Sequence, residues 1–304
     1  MSFMYQRPNS ISGMRSLPLL AALAASASAA AQQPPPPTDQ SEIVVTGQKP
    51  SKEAIGKFVR DLTPVDASGR LGRFEHSVCP RVFGLAPSQQ AAVEARIRLV
   101  AKAAGIVVSG AKCAPNIVVI VAADKRAVLE ELRRHHGDYF GELSGNQIRK
   151  LVTDPAPGAA WQLNGPPMSA DGKDIYIDPS MGLYVNHTFT ASSRMAVQAY
   201  PQFDAAVVIV ERRALDGLTT TQLADYAALR TLTGADPARL RDSNTPTILR
   251  ALTAPMGSAV PITMTDWDLA FLLGYYDAQR KTSTPSQRSA IAKGMADKLH
   301  PTPR

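Results

Sequence analysis

The chain has 304 residues, 44% of them apolar and 19% charged, with a formal net charge of +7 and two cysteines. This is an ordinary globular composition, long enough for one large core or two modest ones. Basic pairs recur at Arg96/Arg98 and Arg133/Arg134 without interleaved aromatics, so the charge reads as solvated surface and no nucleic-acid partner is expected.

Residues 15–31, "RSLPLLAALAASASAAA", pair a leading basic residue with an apolar run that ends in small residues. The pattern predicts a secretory signal over 1–31, with cleavage after Ala27, Ala29 or Ala31. Translation could begin at Met1 or Met14. The run is too short and too rich in alanine for a stable membrane span, so none is expected after cleavage. The expected location is periplasmic or secreted.

Residues 32–50 read as a Pro-rich linker that opens on "QQPPPPTDQS". Inside it, "EIVVTG" at 42–47 has strand composition and a glycine stop. This stretch resembles the segment after the signal in TonB-dependent outer-membrane receptors. The resemblance implies strand addition, in which residues 42–47 join an exposed sheet edge of an envelope protein.

From 51 to 304 the pattern predicts a single α+β domain. A short helix over 51–62 precedes a globular part beginning near Phe74. Residues 87–105 form an amphipathic helix, with Val93, Ile97, Val100 and Ala104 at helical spacing. "IVVSG" and the β-branched run over 116–124 read as strands. Helices follow at 125–137 and 144–152, and "TDPAPGAAW" then breaks the chain. Residues 165–182 form a turn-rich loop or hairpin. Strands are expected in "LYVNHTFT" and over 205–213, and helices over 219–232, 265–280 and 284–300. Strands and helices mix without strict alternation, so a mixed sheet packed against helices fits better than a doubly wound parallel sheet.

Cys79 and Cys113 are expected to form one disulfide, as an exported cysteine pair commonly does. His135 and His136 are helical neighbours about 100° apart and share no face. They lie in a last helical turn, which favours a cation. Asp266-x-Asp268 lacks the glycine and closing glutamate of a calcium loop. There is no His-Glu-x-x-His, no Gly-x-Ser-x-Gly and no phosphate loop. No metal and no cofactor are therefore expected.

The stretch "QLADY" at 222–226 has the spacing of a zinc-protease helix. The surrounding order matches too: helix 87–105, strand "APNIVVIVAAD", strand "AAVVIVERR", this helix, then "TPTILRAL…MTDWDLAFLLGYYDAQ". Over roughly 74–280 the chain resembles exported bacterial domains with a zincin-like outline that lack the His-Glu-x-x-His motif. Carried over by position, Gln222 and Tyr226 fall where that motif has its histidines, and Leu223 where it has its glutamate. An amide, an alkyl chain and a phenol do not supply the metal and base chemistry.

The helix reads instead as a packing element, with Asp225 and Tyr226 as weak catalytic candidates. Two functions follow as expectations. One is a non-catalytic envelope protein that binds or scaffolds. The alternative is a divergent secreted hydrolase using a carboxylate pair, Asp225 with Glu211 or Asp266.

Overall fold

A computed structural model describes residues 50–63, 69–110, 112–169, 171–186, 199–240, 243–255, 258–280 and 282–300. The expected signal and the 42–47 segment lie outside the described residues.

The chain opens on α1 (Lys52–Leu62), where Ser51 accepts a hydrogen bond from the Ala54 N–H at 3.1 Å. Ile55, Phe58, Val59 and Leu62 make one buried stripe at helical spacing. The Phe58 ring meets Trp267 and Phe271 edge-on. The packed domain therefore already includes α1, ahead of Phe74.

Next come β1 (Arg73–Phe74), β2 (Pro80–Phe83), α2 (Pro87–Ala103) and β3 (Ile117–Ala122). They are followed by α3 (Lys125–His135), α4 (Gly145–Thr153) and β4 (Gly158–Asn164). Short pieces β5 (Met168–Ser169), β6 (Ile177–Asp178), β7 (Leu183–Tyr184) and β8 (Ala199–Tyr200) lead into β9 (Gln202–Glu211). Helices α5 (Thr220–Thr233), α6 (Asp266–Asp277) and α7 (Thr284–Leu299) complete the described chain.

The architecture is α+β with a mostly parallel sheet. Across the sheet the order is β2-β3-β9-β4. β2, β3 and β9 run parallel, β1 adds two parallel residues beside the start of β9, and β4 is antiparallel. Ile117, Val119 and Val121 pair with Ala206, Val208 and Val210 and enter the core shared with α1, α2, α5, α6 and α7. Val118, Ile120, Val207 and Ile209 turn the other way, towards Leu129, Phe140, Val152 and Trp161. The period-two alternation of a strand thus feeds two cores, which is why both strands are near-continuous apolar runs.

Two strand expectations change. "IVVSG" forms only a single bridge, Val78 to Val108. The expected break at 153–161 contains the start of β4, pinned by the buried Lys125, whose ammonium donates to the Asp154 and Ala156 carbonyls at 2.6 and 2.8 Å. Alanine, glycine and glutamine have little intrinsic strand preference; register against β9 makes the strand. Of "LYVNHTFT", Leu183–Tyr184 pair with β6, and residues 187–190 lie outside the described residues.

Candidate functional site

Helix α5 starts on a capping box: Thr219 Oγ1 accepts from the Gln222 N–H, and Gln222 Oε1 accepts from the Thr219 N–H at 2.9 Å. It ends at Gly234, whose φ of 69° closes the last turn. Between them every residue from Gln222 to Thr233 is buried. A helix buried all round is a core helix, enclosed by neighbouring elements on every side.

Each residue of the zinc-protease spacing is already engaged. Gln222 uses its oxygen in the cap, and its Nε2 donates to Pro261 O at 2.8 Å. Leu223 is core. Tyr226 is buried, and its hydroxyl accepts from Arg230 Nη1 at 2.9 Å. Burial raises the phenol's pKa, with the Arg230 charge acting in the opposite sense. A phenol held neutral is a poor metal ligand and a poor base.

Asp225 is wholly buried. Its oxygens accept from Arg96 Nε at 2.7 Å and Nη2 at 3.0 Å, from Thr263 Oγ1 at 2.7 Å, and from the Met264 N–H at 2.7 Å. This carboxylate ties α2 and the 263–264 segment to α5. Of the partners considered for it, Glu211 pairs with Arg213 at 2.6 Å, and Asp266 is exposed in the first turn of α6. Neither shares a hydrogen-bond donor with Asp225.

The remaining candidates settle locally. His135 lies 3.6 Å from Glu131 on an exposed helical face. Asp268 is buried at the start of α6 and accepts from Thr247 Oγ1, the Ile248 N–H, and both the N–H and hydroxyl of Thr265. Burial nonetheless raises its pKa above the ordinary aspartate value. Cys79 and Cys113 form a disulfide, with Cα atoms 6.1 Å apart. Arg98 lies beside it, 3.6 Å from Cys113 Sγ, and donates to Ser109 O. Among the described residues, no three His, Cys, Asp or Glu side chains gather as a metal ion would need, and no helix is long and apolar enough to cross a membrane.

An open cleft of about 600 Å³ lies beside the C-terminal end of α6, lined in part by Arg73, Tyr200, Tyr276 and Arg280. Its cations are spoken for. Arg73 donates to the Tyr275, Tyr276 and Ala278 carbonyls, and Glu75 pairs with both Arg73 and Arg280. That arrangement caps a helix C-terminus, the end where a cation is favoured.

Arg230 differs. It is 7% exposed, its Nε is buried without an acceptor, and its one side-chain partner among the described residues is a neutral phenol. In the sequence Arg230 falls at the packing spacing of Leu223, Tyr226 and Ala227; only three-dimensional packing reveals that no acid among the described residues meets it. No protein-family model matches the chain, and no curated protein or solved structure matches it either.

Proposed function

We propose that this chain is an exported envelope protein that binds or scaffolds and does not catalyse. The burial of α5 from Gln222 to Thr233, with the side chains of Gln222, Asp225 and Tyr226 hydrogen-bonded inside the fold, is the observation that carries this reading. A catalytic helix must present groups to substrate, and the side chains at 222, 223, 225 and 226 face other parts of the same protein. The antiparallel strand β4 at the sheet edge and the helix α5 after β9 support a zincin-like outline put to a binding use. Residues 42–47 serve as a tethered strand for an envelope partner.

The hydrolase alternative draws no support from Asp225. Four donors satisfy its oxygens, and neither Glu211 nor Asp266 joins it. The test is a hydrolysis panel of peptide, ester and glycan substrates with the full exported chain. No turnover above buffer is expected. Turnover that disappears in Tyr226→Phe or Asp225→Asn, with the variant still folded, would overturn the reading.

A further inference from the structure

We propose that the outer edge of β4 binds an extended segment of another protein, and that a carboxylate side chain of that segment pairs with Arg230. The proposal rests on the binding reading above and names its ligand class and site.

The backbone fixes which groups are free. Ala206 N–H donates to Asn116 O, so even-numbered residues over 206–210 face β3. Glu211 N–H donates to Pro157 O, so the odd-numbered ones face β4. In the observed register those odd residues pair with Ala159, Trp161 and Leu163. Gly158, Ala160 and Gln162 therefore point their N–H and C=O groups away from the sheet. Among the described residues, no strand pairs with that side of β4. The opposite edge of the sheet is closed. On β2, Pro80 has no N–H, and the Val82 N–H donates to Glu94 of α2 at 3.0 Å. One edge is blocked in the ways proteins block edges, and the other has no strand partner among the described residues.

Charge identifies the occupant. Arg230 is a buried guanidinium with no carboxylate within ion-pair distance among the described residues. Asp154 and Asp236 act on the nearby Tyr226 phenol, yet neither pairs with Arg230. A buried cation without a counter-ion is costly, and an incoming carboxylate removes that cost. Arg230 also borders the open edge. Its carbonyl accepts from Gln162 Nε2 at 2.8 Å, and a Cβ on Gly158 would come within 2.8 Å of the Tyr226 hydroxyl. The α5-facing side of β4 is thus the side of Arg230. In an added strand every second side chain points to that same side. An extended segment with an acid at one such position satisfies the edge and the guanidinium together.

The test uses the full exported chain and a fluorescent, doubly capped peptide, Thr-Val-Thr-Glu-Thr-Val-Thr, with a glutamine twin. Anisotropy is expected to show saturable binding of the glutamate peptide, with the twin weaker by about tenfold or more, the scale of a charge-assisted hydrogen bond. Arg230→Met should bind both peptides equally. Ala160→Pro removes an outward N–H and leaves the β9 ladder intact; it should abolish binding of both. Glu42→Gln should change nothing. Equal affinity for the two peptides, no saturation at millimolar peptide, or unaltered binding by Ala160→Pro would each overturn the proposal. Tighter binding in Glu42→Gln would also overturn it, by assigning the edge to the chain's own 42–47 segment. These outcomes leave the non-catalytic reading standing, since that depends on the hydrolysis panel.

Discussion

Two arginines, one on α5 and one reaching it from α2, make opposite predictions. Arg96 reaches α5 from α2 and holds the buried Asp225 through two hydrogen bonds. Arg96→Met leaves that carboxylate with only Thr263 and the Met264 N–H as donors, and unfolding by denaturant should show a loss of about 2–3 kcal/mol, the scale of losing a charge-assisted hydrogen bond at a partly exposed pair. No acid among the described residues pairs with Arg230. Arg230→Met removes an uncompensated charge and leaves only the Tyr226 hydroxyl without its donor, so its midpoint should stay within about 1 kcal/mol of wild type or rise. A large loss in Arg230→Met together with a small one in Arg96→Met would reverse this assignment.

Asp268 supplies a pH test at the same scale. Burial raises its pKa in the folded chain, so the native state takes up this proton more readily than the unfolded state. Its contribution to stability therefore grows as pH falls through the raised folded pKa, and is complete below the ordinary aspartate value near 3.9. In Asp268→Asn that component should vanish from the pH-stability curve; an unchanged curve would contradict the assignment.

At the scale of elements, β2 and its approach are pinned at both ends. Before β2, the Cys79–Cys113 bond closes a separation of 34 residues. Cys113→Ser paired with Cys79→Ser should cost about 3–4 kcal/mol in the chain-entropy picture, read as a lower denaturant midpoint. After β2, Gly84 has a φ of 85°, and a Cβ there would sit 1.9 Å from Val121 O. Gly84→Ala should therefore destabilise by several kcal/mol, through both the backbone conformation and the clash; a midpoint equal to wild type would mean that β2 and β3 can separate at little cost.

Elements were legible where a pattern was locally strong. The stripe of α2 and the β-branched run of β3 each follow from their own residues. β4 did not, because "GAAWQLN" becomes a strand only by pairing with β9 and by Lys125 fixing the loop ahead of it. Asp268 was equally hidden. Its role is to hold Thr247 and Ile248, 21 and 20 residues away in sequence, and no local spacing signals that.

Over the whole molecule, one sheet feeds two cores, and α5 is buried from Gln222 to Thr233 against the larger of them. Composition and periodicity could indicate an α+β chain, and the residue types at 222, 223 and 226 could argue against metal chemistry. They could not show that Asp225 is consumed by Arg96, or that no acid among the described residues pairs with Arg230, since both depend on which helices meet. The account stands on α5 being a packing helix. Metal content of the purified exported chain, measured by elemental analysis, tests this most directly. The account predicts far less than one equivalent of any transition metal. One tightly held equivalent that is lost in Gln222→Ala or Tyr226→Phe would contradict it.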